Sequence, residues 1–218
     1  MNTKRFAVVA LIIGAIGIAM EVLQIVFYES HLSAEWSYPG TRWNYLAFFT
    51  VIINLAVDVW FILLGLSVFF KWKRVHEFLT RPEIMGALVV YITTVSIVYC
   101  ALLFWFIGPY SVGLWWANII DMWNHLVLPI IMVSIWFFVS PTKRIEWITL
   151  LYWQILPFIY LMLSLIRGLI WDWYPYPFLR PSWILFPAGI VVSAICFVGF
   201  GAIIIWLNNR RIPTQTKE

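Results

Sequence analysis

The chain has 218 residues, of which 63% are hydrophobic and 11% charged, against roughly 25% charged in an average soluble domain. That excludes an ordinary soluble globular domain, because no core of this length needs so much apolar surface. The net charge of +4 does not point to nucleic acid, since the lysines and arginines stand in short clusters between apolar segments.

Several apolar segments exceed the roughly 18 residues that suggest a membrane span. Six spans are predicted: 6–28, 43–70, 85–107, 114–139, 147–170 and 183–207. The first follows Lys4 and Arg5, as a signal peptide would, but its apolar run is longer than a usual signal core. No small-x-small cleavage site ends it, so it is read as retained. Cys100 and Cys196 fall inside spans and read as small packing residues, not as a disulfide framework. Fifteen tryptophans and ten tyrosines suit a membrane protein with aromatic belts.

The loops set an orientation. Lys4, Arg5, Lys71, Lys73, Arg74, Arg81, Lys143, Arg144, Arg210, Arg211 and Lys217 are eleven of the fourteen basic residues, and all fall on one side of the predicted spans. The opposite loops hold Arg42 and Arg180, and Arg167 lies inside a span. The positive-inside rule then predicts cytoplasmic termini. No linker, repeat or low-complexity segment divides residues 1–218, so the expected architecture is a single all-α bundle of six transmembrane helices. His31 and His76 are expected in loops, the latter in a solvated one.

Polar residues inside the spans are the candidates for function, because a polar or charged group in hydrocarbon needs a partner or water. The second span carries Thr50, Asn54 and Asp58 at i, i+4, i+8, a stripe along one side. The fourth carries Asn118, Asp121, Asn124 and His125, with Asp121 and His125 one turn apart. Pro129 follows His125 at the next turn and frees a backbone carbonyl there. Counting at 1.5 Å per residue, Thr50 is about 10 Å and His125 roughly 16 Å below the non-cytoplasmic boundary. Both depths suit one shared cavity, and Glu21, Gln24 and Arg167 reach a similar level.

Each has a plainer reading. A Thr in a membrane helix usually bonds its own backbone, and Asn54 or Asn124 can simply bridge helices. Asp121 or Glu21 can pair with Arg167, and Asp58 can be protonated or paired. Asp121 and His125 have no accompanying His or Cys cluster, so no metal site is expected. No Gly-rich phosphate loop, nucleophile elbow or second haem-ligating His stands out, so no cofactor is expected.

Three stretches add to this reading. They are Arg42-Trp-Asn-Tyr-Leu-Ala-Phe-Phe49-Thr50-Val-Ile-Ile-Asn54-Leu55, Asn124-His125-Leu-Val-Leu-Pro129, and Trp173-Tyr174-Pro175-Tyr176-Pro177-Phe178-Leu179. In order and placement they resemble the family of androgen-induced proteins and androgen-dependent TFPI-regulating proteins, and within it the bacterial six-span branch. The resemblance covers most of the chain. Animal members of that family are intramembrane threonine hydrolases that cleave esters of fatty acids with hydroxy fatty acids. The resemblance implies Thr50 as nucleophile, His125 as general base, a lipid substrate and the bacterial inner membrane.

The chemistry fits these residue types. A Thr hydroxyl needs a base to take its proton, and a neutral His125 held by Asp121 or an Asn can serve. Asn54, Asn124 and Arg167 are candidate oxyanion donors. The competing expectation is a non-enzymatic proton-linked carrier or lipid-binding protein using Asp58, Asp121 and His125. A third is a structural partner for another membrane protein, with the polar stripes joining helices. The Tyr-Pro-Tyr-Pro stretch is expected to stiffen a loop that caps the cavity.

Overall fold

The computed structural model describes the backbone of residues 3–31, 42–103, 115–139 and 141–212, and the side chains of 4–26, 44–101, 115–139 and 141–212. Six helices are long and apolar enough to cross a membrane: Lys4–Val26, Phe49–Phe69, Pro82–Ala101, Trp115–Phe138, Thr149–Trp171 and Phe186–Arg210. These are called the first to sixth spans below. No strand occurs among the described residues. Apolar side chains face outward as well as inward: Leu163 is 61% and Leu169 80% exposed. A bundle that is apolar on its outside matches a multi-pass membrane protein.

Most span ends fall within a few residues of the expected ones, and the differences have local causes. The second span begins later than expected. Arg42–Ala47 forms a separate 3-10 turn and Phe48 is extended, so the α-helix starts at Phe49. The third starts earlier because Pro82 occupies the first turn, where a missing N–H costs nothing. The fifth runs to Trp171 and stops at Asp172, which takes a left-handed conformation at φ 48. The expected ends at Ile107 and Leu114 lie outside the described residues; His31, expected in a loop, is the last residue of the first helix, Thr3–His31, and its side chain lies outside the described residues. The expected solvated loop around His76 contains a short helix, Lys73–Leu79. There His76 is half-buried, with Nδ1 3.0 Å from Ser67 Oγ, and Trp60 donates its indole N–H to the Leu79 carbonyl at 3.0 Å.

The first and second spans form the most extensive helix pair. The first buries Ala7, Ala10, Gly14, Gly17, Glu21 and Gln24. Their alternating spacing of three and four residues is that of a left-handed helix seam. Small residues occupy its first four positions, so the backbones approach closely. A Cβ on Gly14 would stand 2.6 Å from the Asp58 carbonyl oxygen, and one on Gly65 would stand 2.8 Å from that of Ala7.

The third span packs on the second, fourth and sixth. It also answers two prolines. Pro129 cannot donate to the His125 carbonyl, and Ser96 Oγ donates to that oxygen instead, at 2.6 Å. Pro157 cannot donate to the Trp153 carbonyl, and the Tyr91 hydroxyl donates there at 2.8 Å. The helix around Asn124 and His125 widens into a π-turn, Trp123–Val127. Such turns often accompany prolines and functional positions. The fifth span is the most loosely held: 11% of its most apolar window is buried, against 56% for the second span.

Gly14→Ala should destabilise the bundle by about 1–3 kcal/mol, since the obstructing atom is backbone. Gly199→Ala, where nothing stands within 4 Å of the added carbon, should change stability by no more than about 0.5 kcal/mol. Thermal unfolding of both variants in detergent checks the pair, and equal effects would refute the close seam.

Candidate functional site

Positions spaced four residues apart do not stay on one line along a helix. A step of four residues overshoots a helical turn by about 40°. The stripe Thr50, Asn54, Asp58 therefore winds around the second span and reaches different neighbours. Thr50 faces a cavity; Asn54 and Asp58 face the first span.

The cavity has a volume of about 340 Å³, within the roughly 300–1,000 Å³ of small-molecule sites. Its walls come from the second, third, fifth and sixth spans and from the segment after the fifth. Most of the lining is apolar, including Val95, Leu161, Phe178, Ile190 and Phe197. Several of its polar residues are already occupied: Thr94 Oγ1 donates to the Val90 carbonyl at 2.8 Å and the Gln154 amide to the Leu150 carbonyl at 3.1 Å. Phe158 and Val198, on the fifth and sixth spans, line it and are also exposed on the outside of the bundle. The cavity thus borders the outer apolar surface between those two helices.

Thr50 is held in the cavity wall by Tyr176. The Tyr176 oxygen accepts the Thr50 backbone N–H at 3.1 Å, and its O–H donates to Thr50 Oγ1 at 3.3 Å. The first N–H groups of a helix have no partner within it, so Tyr176 caps the second span from 126 residues away in sequence. Tyr176 is buried, stacks on Phe178 at 5.2 Å and packs edge-on against Phe48. Burial pushes its phenol up to about 12, which keeps it a hydrogen-bond donor. The prolines of 175–177 lie on either side of it, and Tyr176, Phe178 and Leu179 all line the cavity. The segment expected to cap the cavity therefore lines it and contributes a polar contact to Thr50. Nothing in the residue pattern distinguished Tyr176 from Tyr174.

His125 is built into a second arrangement. Its Nδ1 lies 3.0 Å from both Asp121 Oδ1 and the Asp121 carbonyl oxygen. Two acceptors at Nδ1 place the proton there and leave Nε2 as the basic nitrogen. The ring stacks on Tyr99, with centroids 3.8 Å apart and planes at 13°. Tyr99 also donates its O–H to Asp121 Oδ2. Tyr99 lines the cavity and His125 does not. Thr50 and His125 share no hydrogen bond; Tyr99 is the contact that relates His125 to the space in which Thr50 lies. The sequence pattern carried no signal for Tyr99.

The remaining candidates lie elsewhere. Glu21 is fully buried, accepts from Tyr45 Oη at 2.7 Å and from Asn124 Nδ2 at 3.0 Å, and has the Asn54 amide beside it. Burial, and then the Glu21 carboxylate, hold the Tyr45 phenol well above the ordinary tyrosine range, so it remains a donor. Asp58 lies one turn along the second span against Gly17. Arg167 pairs with neither Asp121 nor Glu21: its Nη2 donates to Asn44 Oδ1, and its guanidinium stacks over Trp173 at 4.4 Å. Asn118 is exposed. Asn54, Asn124 and Arg167 do not line the cavity; the side-chain donor bonded to Thr50 is Tyr176. Both cysteines are free, and no group of three His, Cys, Asp or Glu side chains stands together among the described residues.

No family model matches this chain, and neither a curated protein nor a solved structure matches it.

Tyr176→Phe should leave the part-buried Thr50 N–H without its partner, at a cost on the order of 1 kcal/mol, with faster amide exchange at the start of the second span. Alkali gives a second readout. A phenol raised in the folded state contributes stability below its unfolded value near 10, lost as pH rises through about 12. That alkaline loss should be smaller in Tyr176→Phe; identical pH profiles would refute the cap.

Proposed function

We propose that this protein hydrolyses lipid esters within the membrane, with the acyl chain in the cavity and Thr50 as nucleophile. The observation that carries this reading is a hydroxyl in the wall of an apolar cavity that borders the outer surface of the bundle. Ester lipids already partition into hydrocarbon, so entry between the fifth and sixth spans suits them. The reading places the chain with the androgen-induced proteins it resembles, in the bacterial inner membrane with both termini cytoplasmic.

In the proposed reaction, Thr50 Oγ attacks the ester carbonyl carbon and its proton passes to His125 Nε2. The C–O bond to the alcohol breaks, and the alcohol leaves with that proton. Water then attacks the acyl-threonine and gives a proton to His125; the C–O bond to Thr50 breaks, Thr50 Oγ takes that proton back, and the carboxylic acid leaves. The Tyr176 O–H, which already reaches Thr50 Oγ1, is the donor assigned to the developing oxyanion. Asp121 holds the imidazole tautomer. Tyr99 covers His125, so base and nucleophile meet when the Tyr99 ring turns off its stack as substrate enters.

One observation favours a second reading, that of a lipid-binding protein or proton-linked carrier without hydrolysis. It is the lack of a hydrogen bond between Thr50 and His125. Turnover separates the two. The purified protein in nanodiscs should release fatty acid from a fatty acid ester of a hydroxy fatty acid and should label with a fluorophosphonate probe. Thr50→Ala should abolish both, and His125→Ala should lower the rate by about 10²–10⁴-fold. Lipid binding without release, or labelling that survives Thr50→Ala, would reject the hydrolase.

A further inference from the structure

A second polar centre lies between the first, second and fourth spans, apart from the cavity. It holds two carboxylates, Glu21 and Asp58, each with no exposed surface. Neither takes part in an ion pair with a Lys, Arg or His side chain among the described residues. Glu21 receives two hydrogen bonds, from Tyr45 and Asn124. Asp58 receives none at either oxygen.

The amides around them are also unsatisfied. Asn54 is 1% exposed; its amide stands beside the Glu21 carboxylate, and its oxygen has no hydrogen-bond partner. Asn124 spends its nitrogen on Glu21, and its oxygen has no partner. Buried polar atoms in folded proteins are nearly always bonded, and buried charges are paired or hold metal ions. Here the unpartnered atoms are mostly oxygens: two on Asp58, one on Asn54 and one on Asn124. Acceptors outnumber donors, which is the imbalance a cation corrects.

Protonation alone corrects it less well. A proton on Asp58 supplies one donor, whereas four side-chain oxygens there lack a partner. The backbone also makes room at this point. A Cβ on Gly17 would overlap the Asp58 carboxylate, so the side chain occupies a hollow that exists because residue 17 is glycine. Gly17 and Glu21 are one turn apart on the first span, as Asp58 and Asn54 are on the second. The four positions therefore face each other across the helix seam.

We propose that Glu21, Asn54 and Asp58, with the amide oxygen of Asn124, form a buried site for a hard cation of sodium or calcium size. The donor set is all oxygen, which suits such ions and not the softer transition metals. Two carboxylates match the charge of one divalent ion, or of a sodium ion and one shared proton. A bound ion would tie the first, second and fourth spans together where their own side chains leave bonds unmade. The site is independent of Thr50.

The test is thermal unfolding of the full chain in detergent, in choline chloride and with sodium or calcium chloride added at matched ionic strength. One of the two cations should raise the midpoint saturably. At a hundred times its dissociation constant it should raise the folded-to-unfolded ratio about a hundredfold. Glu21→Gln and Asp58→Asn should each lose most of that response, and Thr50→Ala should keep it whether or not hydrolysis is found. If either variant fails to fold, equilibrium binding of radioactive sodium or calcium to the unaltered protein decides. No saturable binding, or a response unchanged in both variants, overturns the proposal. So does stabilisation by acid alone with no cation response, which would assign the place to a proton.

Discussion

A backbone carbonyl without a partner is costly in any apolar interior, and more so where no water can replace the missing donor. Two prolines create that situation here, at His125 and at Trp153. Both carbonyls are met by hydroxyls of the third span, Ser96 and Tyr91. These two bonds join the fourth and fifth spans to a common central helix at defined heights. They do so with directional interactions, where apolar packing against lipid-like surroundings offers little preference between one register and another. The His125 ring, the Tyr99 ring and much of the cavity wall take their positions from that arrangement.

The bundle is uneven as a result. On one side the first and second spans approach closely through alanine and glycine, and their seam ends in Glu21 and Gln24. Small residues let the backbones meet, and the cost is that polar groups of both helices come to lie in the same narrow space. On the other side the fifth span rests lightly on the sixth, and large aromatic and branched side chains leave a hollow behind it. The tight half thus holds buried acids and the loose half a cavity, and the difference follows from the size of the side chains at each contact.

The segment after the fifth span connects these halves. Tyr174 fills the hollow over Gly168, and Phe178 packs against Gly189, so the segment is seated on the ends of both loosely packed helices. From that seat Tyr176 reaches across to the first turn of the second span. The same phenol closes the cavity and satisfies a helix terminus. A motion that opened this segment would expose the cavity and uncap the second span together, so access and local stability are linked.

Hydropathy and length alone determined that the chain contains six apolar helices, because crossing hydrocarbon demands about twenty apolar residues whatever the neighbours are. The spacing of Asp121 and His125 likewise determined their pairing, since residues one turn apart meet within a single helix. Proline at 129 determined that the His125 carbonyl would be free; the sequence held no sign that Ser96 would be its donor. The stripe of Thr50, Asn54 and Asp58 was legible as polar, but not as divided between a cavity and a helix seam. That division depends on which helix stands at each angle around the second span. The tertiary structure also decided that Tyr99 would lie over His125 and that Tyr176 would hold Thr50. Contacts between residues far apart in sequence follow from helix packing and leave no local period to read.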